Sequence, residues 1–160
     1  MNSVVSGPGR EKRRLSIAVR ESLRELGVQL NLLNRQVSAR AGLKDVDLEC
    51  LDLIGRHNPI SPGALAKLAG LHPATLTGIL DRLEKGGWVE RSRDPADRRA
   101  VVLRSVRERN AEIFQLYAGM TGAVDALCDG YSEEELKVIA DFLTRTTTAG
   151  RTATAALTTD

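Results

Sequence analysis

The feature that most constrains this chain is its punctuation between residues 61 and 87, where helix-starting prolines alternate with helix-stopping glycines. Ser61-Pro62 offers an N-cap followed by proline at the first helical position, where an N–H would have no helical partner anyway. Leu65, Ala66, Leu68 and Ala69 give that helix its apolar residues, and Gly70 stops it. Only Leu71 and His72 separate this stop from Pro73, a second first-turn proline. The next helix carries Leu76, Ile79, Leu80 and Leu83 at helical spacing and ends at Gly86-Gly87. Two short helices joined by a tight, glycine-containing turn form a helix-turn-helix.

The period changes after Gly87. Trp88-Val89-Glu90-Arg91 and Ala100-Val101-Val102-Leu103 are short β-rich runs, separated by the charged, turn-forming stretch from Arg93 through Asp94, Pro95, Ala96, Asp97 and Arg98 to Arg99. This pattern predicts a β-hairpin with a long polar tip, and a hairpin placed directly after a helix-turn-helix is a wing.

The flanks read as helix. Leu15, Ala18, Val19, Ser22, Leu26, Leu30, Leu33 and Val37 fall on one helical face, with Gly27 inside the pattern and Gly42 as its end. Asp45 is expected to cap a second helix from Val46 to about His57, with Cys50, Leu51 and Ile54 on one side, broken by Asn58-Pro59. Beyond the hairpin, Ile113, Leu116, Tyr117, Met120, Val124 and Leu127 form a stripe along 107–128. Ser132 and Glu135 form a capping box for a last helix through Leu136, Ile139, Phe142 and Leu143. From about Thr146 the chain turns Thr/Ala-rich with almost no bulky apolar residue, which predicts disorder.

Composition agrees with this reading. Hydrophobic residues make up 42% of the chain but aromatics only 3%, so the core is aliphatic and suits helix packed on helix better than a β-sandwich. The expected fold class is mainly α with a small β-hairpin. It comprises a winged helix-turn-helix lobe at 45–106 and a helical dimerisation lobe built from 10–44 and 107–146. Disordered ends are expected at 1–9 and 147–160.

A net charge of +2 does not by itself point to nucleic acid, but the charge is unevenly spread. Arg10, Lys12, Arg13, Arg14, Arg20 and Arg24 crowd one stretch, and Arg91, Arg93, Arg98, Arg99, Arg104, Arg107 and Arg109 another. The acids Asp125, Asp129, Glu133, Glu134, Glu135 and Asp141 come late.

The second helix of a helix-turn-helix reads base edges in the major groove near its N-terminus. The candidate positions are Pro73, Ala74, Thr75, Thr77 and Gly78, with Arg82 one turn on. Thr75 and Thr77 can bond bases or phosphates, and Ala74 or a Thr methyl can touch a thymine methyl. Outside such a motif the two threonines would simply cap and solubilise the helix. At the wing, Arg93, Arg98 and Arg99 suit phosphate or minor-groove contact, and a neighbouring carboxylate such as Asp97 can hold a guanidinium in one rotamer. A charged cluster without the preceding helix-turn-helix would read as solvated surface.

The order of helices, wing and helices resembles the MarR family of bacterial transcription regulators. The likeness is most specific over His72-Pro73-Ala74-Thr75-Leu76-Thr77-Gly78-Ile79-Leu80-Asp81-Arg82-Leu83-Glu84-Lys85-Gly86-Gly87-Trp88-Val89 and over Asp94-Pro95-Ala96-Asp97-Arg98-Arg99-Ala100. The second is similar to the family's Asp-x-x-Asp-x-Arg wing pattern. The resemblance implies an obligate homodimer, joined by its terminal helices, that binds double-stranded DNA at a pseudo-palindromic operator as a ligand-responsive repressor. It implies that Arg99, steadied by Asp97, enters the minor groove. It also implies that a small aromatic or phenolic effector shifts the spacing of the recognition helices, at residues the sequence leaves unknown. Many members carry a basic residue where Gly78 stands, so base readout leans on Thr75 and Thr77.

Other classes fare worse. Cys50 and Cys128 are too few for a disulfide framework, and neither lies near the start of the first helix, where oxidant-sensing relatives carry their cysteine. Sensing through Cys50 or Cys128 is therefore a lesser alternative, as is a winged-helix module for protein–protein contact. His57 and His72 lack ligand-like spacing, so no metal is expected. No phosphate loop, nucleophile elbow or carboxylate pair suggests an enzyme, and no cofactor is implied. No signal-peptide core and no run near the ~18 apolar residues of a membrane span is present, so a cytoplasmic location is expected.

Overall fold

The computed structural model describes residues 8–157 as α1 (Pro8–Ala41), α2 (Asp45–Arg56), α3 (Pro62–Ala69), α4 (Pro73–Lys85), β1 (Val89–Arg93), β2 (Val101–Ser105), α5 (Arg107–Cys128) and α6 (Glu133–Leu157). The architecture is mainly α with one antiparallel hairpin. Two compact units divide the chain, one reaching Leu48 and the other starting at Glu49.

In the first unit α1 starts at Pro8, earlier than the periodicity suggested, because proline fits the first helical turn. The expectation of a mobile end over 1–7 lies outside the described residues. Gly42, at φ +70°, ends α1 in the left-handed conformation. Leu43 N–H then donates back to the Ser38 carbonyl at 2.9 Å, closing a Schellman turn. Val37 is buried, but Leu15, Val19, Leu26 and Leu30 on the same stripe stay exposed.

Asp45 is not the N-cap of α2. It is the first helical residue, and the amides of Asp47 and Leu48 both bond the Lys44 carbonyl. The Asp45 carboxylate instead accepts a short hydrogen bond from the Ser38 hydroxyl, so it is taken by a partner seven residues back.

The second unit has an aliphatic core. Cys50, Leu51, Ile54, Ile60, Leu65, Leu76, Ile79, Leu80, Leu83, Trp88, Val89, Val102, Leu103 and Ile113 are all buried. Ser61 caps α3 by accepting from Ala64 N–H at 3.2 Å, and Gly70 ends it at φ +63°. The β1–β2 register pairs Val89 with Ser105 and Arg93 with Val101. Both strands lie slightly downstream of the expected runs, because Trp88 serves the helix end and Ala100 the tip turn. Ile60 adds an isolated antiparallel bridge to Leu103, with bonds of 3.1 and 2.7 Å. No alternation in the sequence announced that pairing.

α5 covers the expected span. Ser132 and Glu135 form the expected capping box: Glu135 Oε2 accepts from the Ser132 amide at 2.8 Å, and Ser132 Oγ accepts from the Glu135 amide at 3.3 Å. The expected disorder from about Thr146 is corrected as far as Leu157, where α6 ends, while its part over 158–160 lies outside the described residues. Thr147, Thr148, Thr152 and Thr154 each donate a hydroxyl to the carbonyl four residues earlier, and the interspersed alanines favour helix. Scarcity of bulky residues removes the means to bury a helix, not the means to form one. Among the described residues, no helix is long and apolar enough to cross a membrane.

Candidate nucleic-acid interface

Helix α4 is held from behind and left open in front. Leu76, Ile79, Leu80 and Leu83 bury one face, while Pro73, Ala74, Thr75, Thr77 and Arg82 are exposed and Gly78 is half-buried. Its N-cap is His72, whose Nδ1 accepts from Ala74 N–H at 3.3 Å. This role was hidden because histidine is not a usual capping residue, although its place before Pro73 marked the position. The Thr77 hydroxyl donates to the Pro73 carbonyl at 3.0 Å, so what it can offer a ligand is acceptor capacity. At Gly78, the Arg82 Nη1 lies 3.7 Å from where a Cβ would stand, which puts the guanidinium of Arg82 beside the one helical position with no side chain.

The wing tip is built on its two carboxylates. Asp94 Oδ1 accepts from Ala96 N–H at 2.8 Å, and Asp97 Oδ1 accepts from Arg99 N–H at 2.9 Å. Backbone bonds from Asp94 N–H to the Ala100 carbonyl and from Ala100 N–H to the Asp97 carbonyl close the loop. Asp97 therefore steadies Arg99 through its backbone, where a carboxylate–guanidinium pair had been expected. The physical reason is reach: an aspartate in a turn meets the amide two residues on before it meets a long side chain. Arg93, Arg98 and Arg99 line an open hollow together with Asp94 and Pro95, and Arg93 also bonds the Arg98 carbonyl at 3.4 Å.

The basic stretch of the sequence is divided by these contacts. Arg91 reaches back from β1 to Asp81 at 2.8 Å and Glu84 at 3.0 Å, tying the wing to α4. Arg109 pairs with Glu112, donates to the Gly86 carbonyl at 3.3 Å and lies 4.1 Å from the Trp88 ring centre. Arg93, Arg98 and Arg99 are the cations gathered at the tip. Charge counting could not separate these groups, because the acids that claim Arg91 lie on another element, and because beyond its i+3 neighbour Glu112 the groups that hold Arg109, the Gly86 carbonyl and the Trp88 ring, lie outside its helix.

Away from this surface, Cys50 is fully buried and Cys128 half-buried. The phenol of Tyr117 has its pKa raised, first by burial and then by the charge of Asp52.

Comparison with known proteins agrees with this geometry. The MarR family model matches residues 43–101, which span α2 to the wing tip. The HTH-type transcriptional regulator YcgE of Bacillus subtilis is 35% identical over 120 residues, covering 75% of this chain and 78% of that protein. The HTH-type transcriptional repressor YetL of the same organism is 28% identical over 130 residues, covering 78% of each. The crystal structure of transcriptional regulator Tm0710 from Thermotoga maritima superposes with a TM-score of 0.61 at 26% identity, over 86% of this chain and 97% of that one. A chain with this element order, this wing and these relatives belongs to the MarR family of winged helix-turn-helix transcriptional regulators.

Proposed function

We propose that this DNA-binding regulator acts as a homodimeric repressor, reading a pseudo-palindromic operator with the N-terminal turns of α4 and the tip of the wing. The observation that carries the reading is the division of the arginines. Arg93, Arg98 and Arg99 share an exposed tip whose carboxylates are occupied by backbone amides, which leaves the guanidinium groups, apart from the Arg93 Nη1 bonded to the Arg98 carbonyl, for phosphates or a minor groove. Thr75 and Thr77, with Ala74 and Gly78, are the base-reading positions. Arg82 and Pro73 flank them.

Residues 10–44 and 107–146 supply the dimer lobe, and 45–106 the DNA-binding lobe. Support comes from apolar side chains left in water, including Leu15 at 54%, Phe114 at 73% and Val138 at 70% exposure. A lone chain gains nothing from such a surface, while a two-fold partner would bury it twice. Repression is supported by the name of YetL. Response to a small aromatic or phenolic effector is proposed on the strength of family membership.

Gel shift of the full chain with random duplex DNA at low salt tests the first part, and absence of any complex would overturn it. A thermal-shift screen of aromatic acids and phenols tests the effector, with a saturable rise in melting temperature expected for at least one.

A further inference from the structure

Arg109 stands outside the surface just described, yet it touches both parts of it. Its Nε donates to the Gly86 carbonyl, just beyond the end of α4, and its guanidinium covers Trp88, the residue before β1. Trp88 is only 3% exposed and has little room to move. A Cβ at Gly86 would lie 2.6 Å from Trp88 Cδ1, so helix end and ring already meet closely. The Trp88 carbonyl in turn accepts from Val106 N–H at 3.0 Å and from Asn110 Nδ2 at 3.1 Å, which closes the base of the hairpin against the first turn of α5. The end of the recognition helix, the root of the wing and the start of α5 thus converge on one guanidinium.

We propose that Arg109 is a positioning residue for DNA recognition. Acting through Gly86 and Trp88, it fixes the angle of the wing to α4 without touching DNA. This rests on the reading of α4 and the wing given above. The lever arm makes the angle matter: strands of five residues extend about 17 Å at ~3.4 Å per residue. A tilt of about 10° at the root then moves the tip by roughly 3 Å, the length of a hydrogen bond. Arginine suits the post because its planar fork donates in two directions while its face stacks on the ring, which an ammonium group does not do.

The test is a double-mutant cycle on the full chain, using the duplex that the wild-type protein enriches from a random pool. Arg109→Met and Arg99→Ala are each expected to weaken binding on the order of tenfold, the scale of one charged hydrogen bond. The double variant is expected to bind about as weakly as either single one, with no further fall in salt dependence, because a misplaced wing has already lost its contact. Arg109→Lys keeps the charge and is expected to resemble Arg109→Met. Circular dichroism melts identify variants that remain folded, and Trp88, the sole tryptophan, reports the node by its emission.

Additive losses in affinity and salt slope, or full rescue by lysine, would make Arg109 a direct phosphate contact and overturn the proposal. Wild-type affinity in folded Arg109→Met would overturn it too, while leaving the DNA-binding reading intact. A wild-type protein that enriches no duplex would overturn both.

Discussion

At Gly86 the tolerance for a single methyl group is close to nil. An alanine Cβ would sit 2.6 Å from Cδ1 and 2.8 Å from Nε1 of a ring that is buried. Gly86→Ala should destabilise the fold by about 1–3 kcal/mol through overpacking, measured as a lower denaturant midpoint at unchanged slope. At Gly87 the constraint is torsional instead, since its φ of +73° strains any residue with a Cβ. At Arg99 the expected cost is functional: Arg99→Ala should leave stability unchanged but lower the slope of log affinity against log salt by about one. Titrating the complex with salt checks this, and an unchanged slope and affinity would remove Arg99 from the interface.

Among the elements, α6 carries the clearest local logic. Its start is held by the Ser132–Glu135 box, whose two hydrogen bonds to the carboxylate lower the Glu135 pKa below 4.5, the backbone bond contributing most. A depressed carboxyl favours the folded state above its unfolded pKa, and that preference fades as pH falls through the folded value. Ser132→Ala removes the hydroxyl bond but keeps the backbone N–H, so in a carboxyl NMR experiment the Glu135 pKa should rise only part of the way toward the ordinary glutamate value. The other end of α6 is a Thr/Ala helix whose hydroxyls are paired with its own carbonyls. Ending the chain after residue 146 should lower the helical circular dichroism signal, and an unchanged molar signal would contradict helix in that stretch.

For the whole molecule, the proposed dimer rests on the exposed apolar residues of α1, α5 and α6. The protein should sediment as a dimer whose mass does not change with concentration in the micromolar range. Leu30→Glu replaces an exposed apolar residue of α1, and two-fold symmetry would place the new charge in the interface twice. Each buried leucine contributes about 1.5–3 kcal/mol, so this variant should shift sedimentation toward monomer and weaken operator binding with it. A monomeric wild-type protein would refute the dimer directly.

What the sequence by itself determined is most of what neighbours along the chain set, although the His72 cap of α4 and the helix beyond Thr146, both local, escaped it. Ser61-Pro62, Gly70, Pro73 and Gly86-Gly87 placed α3 and α4, and Ser132-Glu135 placed the start of α6, because capping and backbone torsion act within a few residues. The hairpin was legible to within a residue or two, and the candidate DNA-contacting residues were named from their places in α4 and at the hairpin tip. Only the tertiary structure decided which partner each polar group takes. Asp45 went to Ser38 instead of capping α2, Asp97 to the Arg99 backbone, Arg91 to Asp81 and Glu84, and Arg109 to Gly86 and Trp88. Except for Asp97, whose partner is local, these pairings join residues far enough apart in sequence that no periodicity encodes them. They arise because packing brings the groups within about 3 Å, where a charge binds whatever is nearest and best aimed.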